Sequence, residues 1–122
     1  MTYGVKVSTE GQAEIVECDS SLGSMRRIIR GCIESIPMPT RGGALAYFCD
    51  KAGRLERKKL PKNDIVSYLA GRTVVGTVLV MAKSSDGEVS AMSREKAESV
   101  CIAIENAKTY SESNELEGTV NK

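Results

Sequence analysis

The residues best suited to binding chemistry in this chain are arginines, and three of them lie in the segment SLGSMRRIIRG. Arg26, Arg27 and Arg30 stand at positions i, i+1 and i+4 of a predicted helix, opposite its apolar stripe. A guanidinium group binds phosphate through two parallel hydrogen bonds, a geometry that lysine cannot reproduce. The three arginines therefore form a candidate anion-binding ridge. The alternative is an ordinary charged helix face that meets water.

A second basic feature is the stretch of residues 51–62, in which six basic residues stand against Asp50 and Glu56. Such clustering raises the local concentration of phosphate-bearing partners. The alternative is that these charges lie on an edge strand and discourage aggregation. The basic residues are Lys51, Arg54, Arg57, Lys58, Lys59 and Lys62.

A third candidate is the loop PMPTRGG, which contains Thr40 and Arg41 before two glycines. Consecutive glycines expose backbone N–H groups, and the hydroxyl and guanidinium beside them would complete a small phosphate nest. The loop lacks the G-x-x-x-x-G-K-[ST] order of a phosphate loop and the G-x-G-x-x-G of a dinucleotide fold, so a plain tight turn is the alternative.

Aromatic residues are few, and Phe48 is the one that we consider as a stacking platform for a nucleobase. An aromatic ring and a guanidinium can hold a base between them. Strand alternation places Tyr47 and Phe48 on opposite faces, so both are core residues if both faces of the sheet are covered.

Composition excludes several kinds of catalysis. The 122 residues include no His, so Ser-His and Cys-His pairs and histidine metal ligands are excluded. The four cysteines form no C-x-x-C motif, and reduced, buried thiols are favoured over a disulfide framework. No carboxylate pair stands out as an acid/base couple. We therefore expect a binding protein rather than an enzyme, with no metal and no cofactor.

Hydrophobic periodicity predicts an α+β domain with a mainly antiparallel sheet, two packed helices and a short helical turn. Residues 1–108 form this single small domain, and the polar residues 109–122 are expected to be a flexible tail. The predicted strands are residues 3–8 and 13–18 as a hairpin, 33–38, 44–49, an exposed edge strand at 54–60, and a central strand at 72–82. The predicted helices are residues 22–30, 65–69 and 93–108.

Charge and hydropathy restrict the environment and the partners. Residues 1–108 carry a formal charge of +3 and the remainder −2, a field too small for a duplex DNA groove, and we expect no nucleic-acid partner. No apolar run approaches the roughly 18 to 20 residues that span a bilayer, and the first residues lack the order of a signal peptide. The sequence therefore predicts a cytoplasmic protein.

Taken in order, the segments SLGSMRRIIRGCIESIP, ALAYFCDKAGRL, LPKN and RTVVGTVLVMAKSSDGE, followed by a terminal helix, resemble a widespread group of small phage and prophage proteins of unknown function. The resemblance covers about residues 3–105. Its most telling pieces are G-C-I-E at 31–34, L-P-x-N at 60–63 and V-G-T at 75–77.

Among small viral proteins, the chain resembles the Thoeris anti-defence proteins. This resemblance implies a sponge that holds cyclic ADP-ribose isomers made by TIR-domain enzymes without cleaving them, and some such sponges also hold cyclic oligonucleotides. It also implies a homo-oligomer built from dimers, with pockets lined by arginines and an aromatic residue. Chemistry and placement give the candidate ligand-binding residues Arg26, Arg27, Arg30, Arg41, Phe48, Arg57, Asn63 and Arg72.

Two other functions remain open at this point. The basic stretch could dock on an acidic host protein, which would make the chain an inhibitor that acts by protein–protein contact. A phosphodiesterase that destroys the same signal would need a metal site or a general base, and we locate neither in the sequence.

Overall fold

The computed structural model describes residues 1–39, 45–55 and 57–120. For residues 110–120 it describes the backbone only. Nine elements follow one another along the chain. They are β1 (Tyr3–Val7), β2 (Ala13–Glu17), α1 (Leu22–Ile29), β3 (Ile33–Ser35), β4 (Leu45–Asp50), α2 (Asp64–Ala70), β5 (Val78–Lys83), β6 (Val89–Ser90) and α3 (Arg94–Val120).

The strands form one six-stranded antiparallel sheet. Its order is β2-β1-β5-β4-β3, and β6 pairs with β5 off this path. The β1–β2 hairpin pairs Tyr3 with Glu17 and Val7 with Ala13. With three helices packed on the sheet, the predicted α+β fold class is confirmed.

The sheet separates two cores, and β5 contributes to both. Val78 and Val80 lie in the larger core, where α2 and α3 cover one face of the sheet. Leu79 and Met81 lie in the smaller core, where α1 covers the other face. All four side chains are fully buried. This arrangement explains why the strand reads as apolar on both faces.

Helix α1 begins and ends through its own side chains and backbone. The Ser21 hydroxyl accepts a hydrogen bond from the Ser24 N–H at 3.2 Å, as an N-cap does. Arg30 ends the helix with φ at 64°, one residue before the predicted stop at Gly31. Gly31 is needed for a different reason, because a Cβ there would lie 2.6 Å from Oδ2 of Asp50.

The predicted edge strand at residues 54–60 is wrong. The described residues of this stretch form successive turns, in which Leu55 N–H donates to Ala52 and Lys58 and Lys59 N–H both donate to Leu55. These hydrogen bonds satisfy the backbone locally, so the segment does not pair with the sheet. The charges in it belong to a loop, which we call the basic loop (residues 51–60).

Other boundaries also differ from the prediction. β3 ends at Ser35, and β5 begins at Val78 because Gly76 has φ at 79° and donates its N–H to Pro61. The short strand β6 was not predicted. The backbone of α3 stays helical to Val120, beyond Lys108, since extending a formed helix requires no new nucleation. The division into a domain and a tail remains a prediction.

Candidate anion-binding site

Asp50 is the organising residue of the basic loop. It is the last residue of β4, and it is buried, at 4% exposure. The ammonium group of Lys58 and the N–H of Ala52, the latter at 2.8 Å, donate hydrogen bonds to its carboxylate. Lys58 Nζ also donates to the carbonyl of Arg30 at 3.1 Å. One lysine thus joins the end of α1 to the end of β4.

The pKa of Asp50 reflects two opposed effects. Burial raises it, but the hydrogen bonds from Lys58 and Ala52 and the positive charge of Lys58 outweigh burial and hold the pKa below its ordinary value. Asp50 is therefore a carboxylate at neutral pH. It neutralises Lys58 and leaves the other cations of the basic loop without that compensation.

Two arginines line a cleft beside this carboxylate, which we call the arginine cleft. Arg54, from the basic loop, and Arg72, from the segment before β5, border a space of about 140 Å³ together with Glu34 and Asp50. A guanidinium nitrogen of Arg54 donates to the carbonyl of Thr73, which fixes the loop against the neighbouring segment. Both arginines are exposed, so the cleft presents two guanidinium groups to solvent.

A larger cavity lies along the first half of β4, and we call it the β4 cavity. It has a volume of about 450 Å³, and its lining includes Tyr47, Phe48 and Lys83. Burial raises the pKa of the Tyr47 phenol, so this group is neutral at physiological pH. Ile36 and Pro37 line both this cavity and the arginine cleft, so the two spaces are adjacent.

Of the three arginines predicted to form a ridge, Arg26 and Arg27 lie on α1, whereas Arg30 ends the helix in a left-handed conformation, and none of them lines the arginine cleft. Arg26, Arg27 and Arg30 are all exposed. Arg27 lies at a separate polar depression of about 300 Å³, where its guanidinium is 3.5 Å from the Ser24 hydroxyl. Arg30 meets the basic loop through its backbone carbonyl.

The structure separates the other predicted ligand residues. Arg72 lines the arginine cleft, and Arg57 is exposed on the basic loop. Phe48 is 8% exposed and packs in the smaller core, while one side of it borders the β4 cavity. Arg41 lies outside the described residues.

Asn63 has a structural task instead of the predicted ligand contact. Its side chain is 1% exposed, and its amide nitrogen donates to the carbonyls of Val7 and Gly76, both at 3.0 Å. Its amide oxygen accepts from the Val66 N–H at 3.2 Å and caps α2. Both amide protons are used inside the core, so none remains for a ligand.

Sequence reasoning missed the roles of Asp50 and Lys58 and did not select Arg54. The available signal was an aspartate that ends an apolar strand directly before a run of cations. Such a residue is either exposed at the strand end or buried by pairing with one of the cations. The sequence does not show which lysine folds back on it.

The described residues give few features that suggest covalent chemistry. All four cysteines are free thiols, and burial raises the pKa of Cys18, Cys49 and Cys101, which makes them weak nucleophiles. Within the described ranges, no group of three His, Cys, Asp or Glu side chains could hold a metal ion. No helix in the described part of the chain is both long and apolar enough to cross a bilayer.

Residues 1–104 match the model of a family described as a domain of unknown function (DUF3846). Searches of curated proteins and of solved structures found no significant match.

Proposed function

The chain belongs to the DUF3846 family, and we propose that it binds a phosphate-bearing cyclic nucleotide signal and sequesters it without cleaving it. The observation that carries this proposal is the arginine cleft. Two exposed guanidinium groups, from Arg54 and Arg72, border one space, although 18 positions separate them in sequence. Guanidinium pairs of this kind bind phosphate oxygens through charge-assisted hydrogen bonds.

The size of the cleft indicates what part of a ligand it takes. At about 140 Å³ it is smaller than the roughly 300 Å³ at which pockets for complete small ligands begin. It therefore suits one phosphate group of a larger molecule. Glu34 and Asp50 also line the cleft and repel an anion, but Lys58 neutralises Asp50. The three cations Arg54, Arg72 and Lys58 and the two carboxylates therefore leave a net charge of +1 at the cleft.

The finer form of the proposal follows the resemblance described above. In this form the ligand is a cyclic ADP-ribose isomer made by a TIR-domain enzyme. The protein is a non-enzymatic anti-defence protein of a phage or prophage, and it works in the host cytoplasm as a homo-oligomer built from dimers. A sponge must hold its ligand below the activation threshold of the defence effector, which requires submicromolar binding, or about −8 kcal/mol or stronger.

The test is retention of the signal by purified protein. Product from an active TIR-domain enzyme is mixed with the protein and filtered, and the retained fraction is heated and analysed by liquid chromatography with mass spectrometry. We expect intact cyclic nucleotide to be released on heating. A signal that stays free and unchanged contradicts the proposal, and a signal that is degraded contradicts sequestration.

The double variant Arg54→Ala/Arg72→Ala tests the site. Each arginine contributes a charge-assisted contact of about 1.5–3 kcal/mol, so we expect retention to fall at least about tenfold per arginine removed. The matched control is Arg94→Ala/Lys96→Ala, which removes the same charge from exposed positions on α3. Equal retention by the two double variants would contradict the assignment of the cleft.

One observation favours a second function, inhibition of a host protein by direct contact. Leu55 is 46% exposed and stands among the cations of the basic loop. An exposed apolar side chain in a basic loop fits an acidic protein surface. The variant Leu55→Ser distinguishes the two functions, because it should weaken capture of a protein partner and leave nucleotide retention unchanged.

A further inference from the structure

The β4 cavity exists because β3 is short. β3 pairs with β4 from Ile33↔Asp50 to Ser35↔Phe48, and one further hydrogen bond joins the Ile36 N–H to the carbonyl of Tyr47. Pro37 and Pro39 follow, and proline has no N–H with which to continue a ladder. The chain leaves the sheet there, and the cavity lies beside the first half of β4.

The lining of the cavity suits a flat, mainly apolar ring. Its volume of about 450 Å³ lies within the usual range for small-ligand sites. Its lining includes the aromatic residues Tyr47 and Phe48, from opposite faces of β4, and the aliphatic residues Met38 and Val89. Lys83, exposed at the end of β5, adds one cation at the border. An apolar site with a cation at its border fits a ring that carries an anionic substituent.

The position of the cavity indicates how such a ligand would lie. Ile36 and Pro37 line both the β4 cavity and the arginine cleft. A ligand that crosses this shared wall has its ring on the apolar side and its phosphate on the arginine side. The β4 cavity supplies the apolar surface, and the arginine cleft supplies two guanidinium groups.

We propose that the β4 cavity is a base subsite, which takes the heteroaromatic ring of a nucleotide whose phosphate binds in the arginine cleft. This inference rests on the proposed function, because it assumes that the cleft binds phosphate. It extends that function by assigning the ring of the ligand to a specific part of the sheet.

The test compares adenosine monophosphate with ribose 5-phosphate, which has the same sugar and phosphate but a hydroxyl group in place of the base. Ser35 pairs directly with Phe48 and so lies on the same face of the sheet, and the variant Ser35→Phe places a ring in the cavity. The matched control is Ser90→Phe, an exposed serine on β6 that does not line the cavity. Binding of both ligands to all three proteins is measured by calorimetry.

We expect wild type and Ser90→Phe to bind adenosine monophosphate at least about fivefold more tightly than ribose 5-phosphate, because stacking of a base on aromatic side chains contributes about 1–3 kcal/mol. In Ser35→Phe this preference should disappear while ribose 5-phosphate binds as before. Equal binding of the two ligands to wild type would overturn the base subsite and leave phosphate binding intact. Failure of both ligands to bind would overturn the proposed function and the inference together.

A second measurement covers the case in which Ser35→Phe does not fold. In wild type, the protons of bound adenine should show nuclear Overhauser effects to the methyl groups of Ala46 and Val89, both of which line the cavity. Such effects support the subsite. Effects that connect adenine to other methyl groups and not to these two would overturn it.

Discussion

The substitution Asp50→Asn separates two views of the basic loop. If net charge alone decided affinity, removing a negative charge next to the arginine cleft would strengthen anion binding. The structure predicts the opposite, because Asp50 holds Lys58 and the N–H of Ala52 and thereby fixes the loop that carries Arg54. We expect Asp50→Asn to weaken anion binding by about tenfold, the size of one lost charge-assisted contact.

The cost of this substitution to stability follows from the contacts of Asp50. Breaking a buried ion pair costs about 3–5 kcal/mol when the remaining charge stays buried. The Lys58 side chain is 36% exposed and can regain water, and the new amide can still accept from Ala52. The loss is therefore nearer that of one hydrogen bond to a charged group, about 1.5–3 kcal/mol.

Urea unfolding measures the loss of stability in Asp50→Asn, and pyrophosphate binding measures its loss of anion affinity. The control is Asp86→Asn in the exposed turn between β5 and β6, which changes net charge equally and should alter stability by less than about 0.5 kcal/mol. Because the pKa of Asp50 is lowered in the folded protein, its stabilisation is present at neutral pH and is lost as pH falls through that pKa. The stability gap between wild type and Asp50→Asn should therefore narrow below about pH 4. A folded Asp50→Asn protein that binds pyrophosphate as well as Asp86→Asn does would refute the reasoning.

Two further substitutions test the structure around the site. Asn63→Ala leaves the carbonyls of Val7 and Gly76 without their donor in the core, so we expect a loss of about 2–4 kcal/mol in urea unfolding, and a loss below about 1 kcal/mol would contradict the structural role. Gly31→Ala pushes a Cβ against the Asp50 carboxylate and should lower both the urea midpoint and pyrophosphate affinity. Its control, Gly23→Ala in α1, meets no atom within 4 Å and should add up to about 1 kcal/mol of stability. Similar behaviour of the two alanine variants would show that the contact with Asp50 is unimportant.

Local pattern was sufficient for most of the fold. The β1–β2 hairpin, α1 and α2 follow from alternation, spacing and capping residues that lie within a few positions of one another. Residues 54–60 were wrongly predicted to form an edge strand, because their polar sequence is compatible with a strand and with turns. Which of the two forms depends on whether a neighbouring strand offers free hydrogen-bonding groups, and this is a property of the assembled sheet.

The candidate site was less predictable than the fold, for a related reason. The arginines at the end of α1 were visible in the sequence because Arg26, Arg27 and Arg30 lie within five consecutive positions. The pairing of Arg54 with Arg72 requires the basic loop to lie against the segment before β5, where Arg54 reaches the carbonyl of Thr73. That contact spans 19 positions, and no local period encodes it. The sequence therefore indicated guanidinium chemistry but did not show that Arg54 and Arg72 line the same cleft.

The position of Asp50 explains how a nearly neutral chain can present a cationic surface. Five cations within ten residues repel one another, and an unsupported loop would relieve that repulsion by spreading. The buried Asp50 carboxylate at the end of β4 accepts a hydrogen bond from Lys58, and Lys58 also donates to the carbonyl of Arg30 at the end of α1, so the loop keeps its shape. The remaining cations, Lys51, Arg54, Arg57 and Lys59, are exposed, and Glu56 is the one acidic residue among them in the sequence. An anionic ligand would lower the repulsion among these cations, so the folded loop favours phosphate binding although the net charge of the chain is only +1.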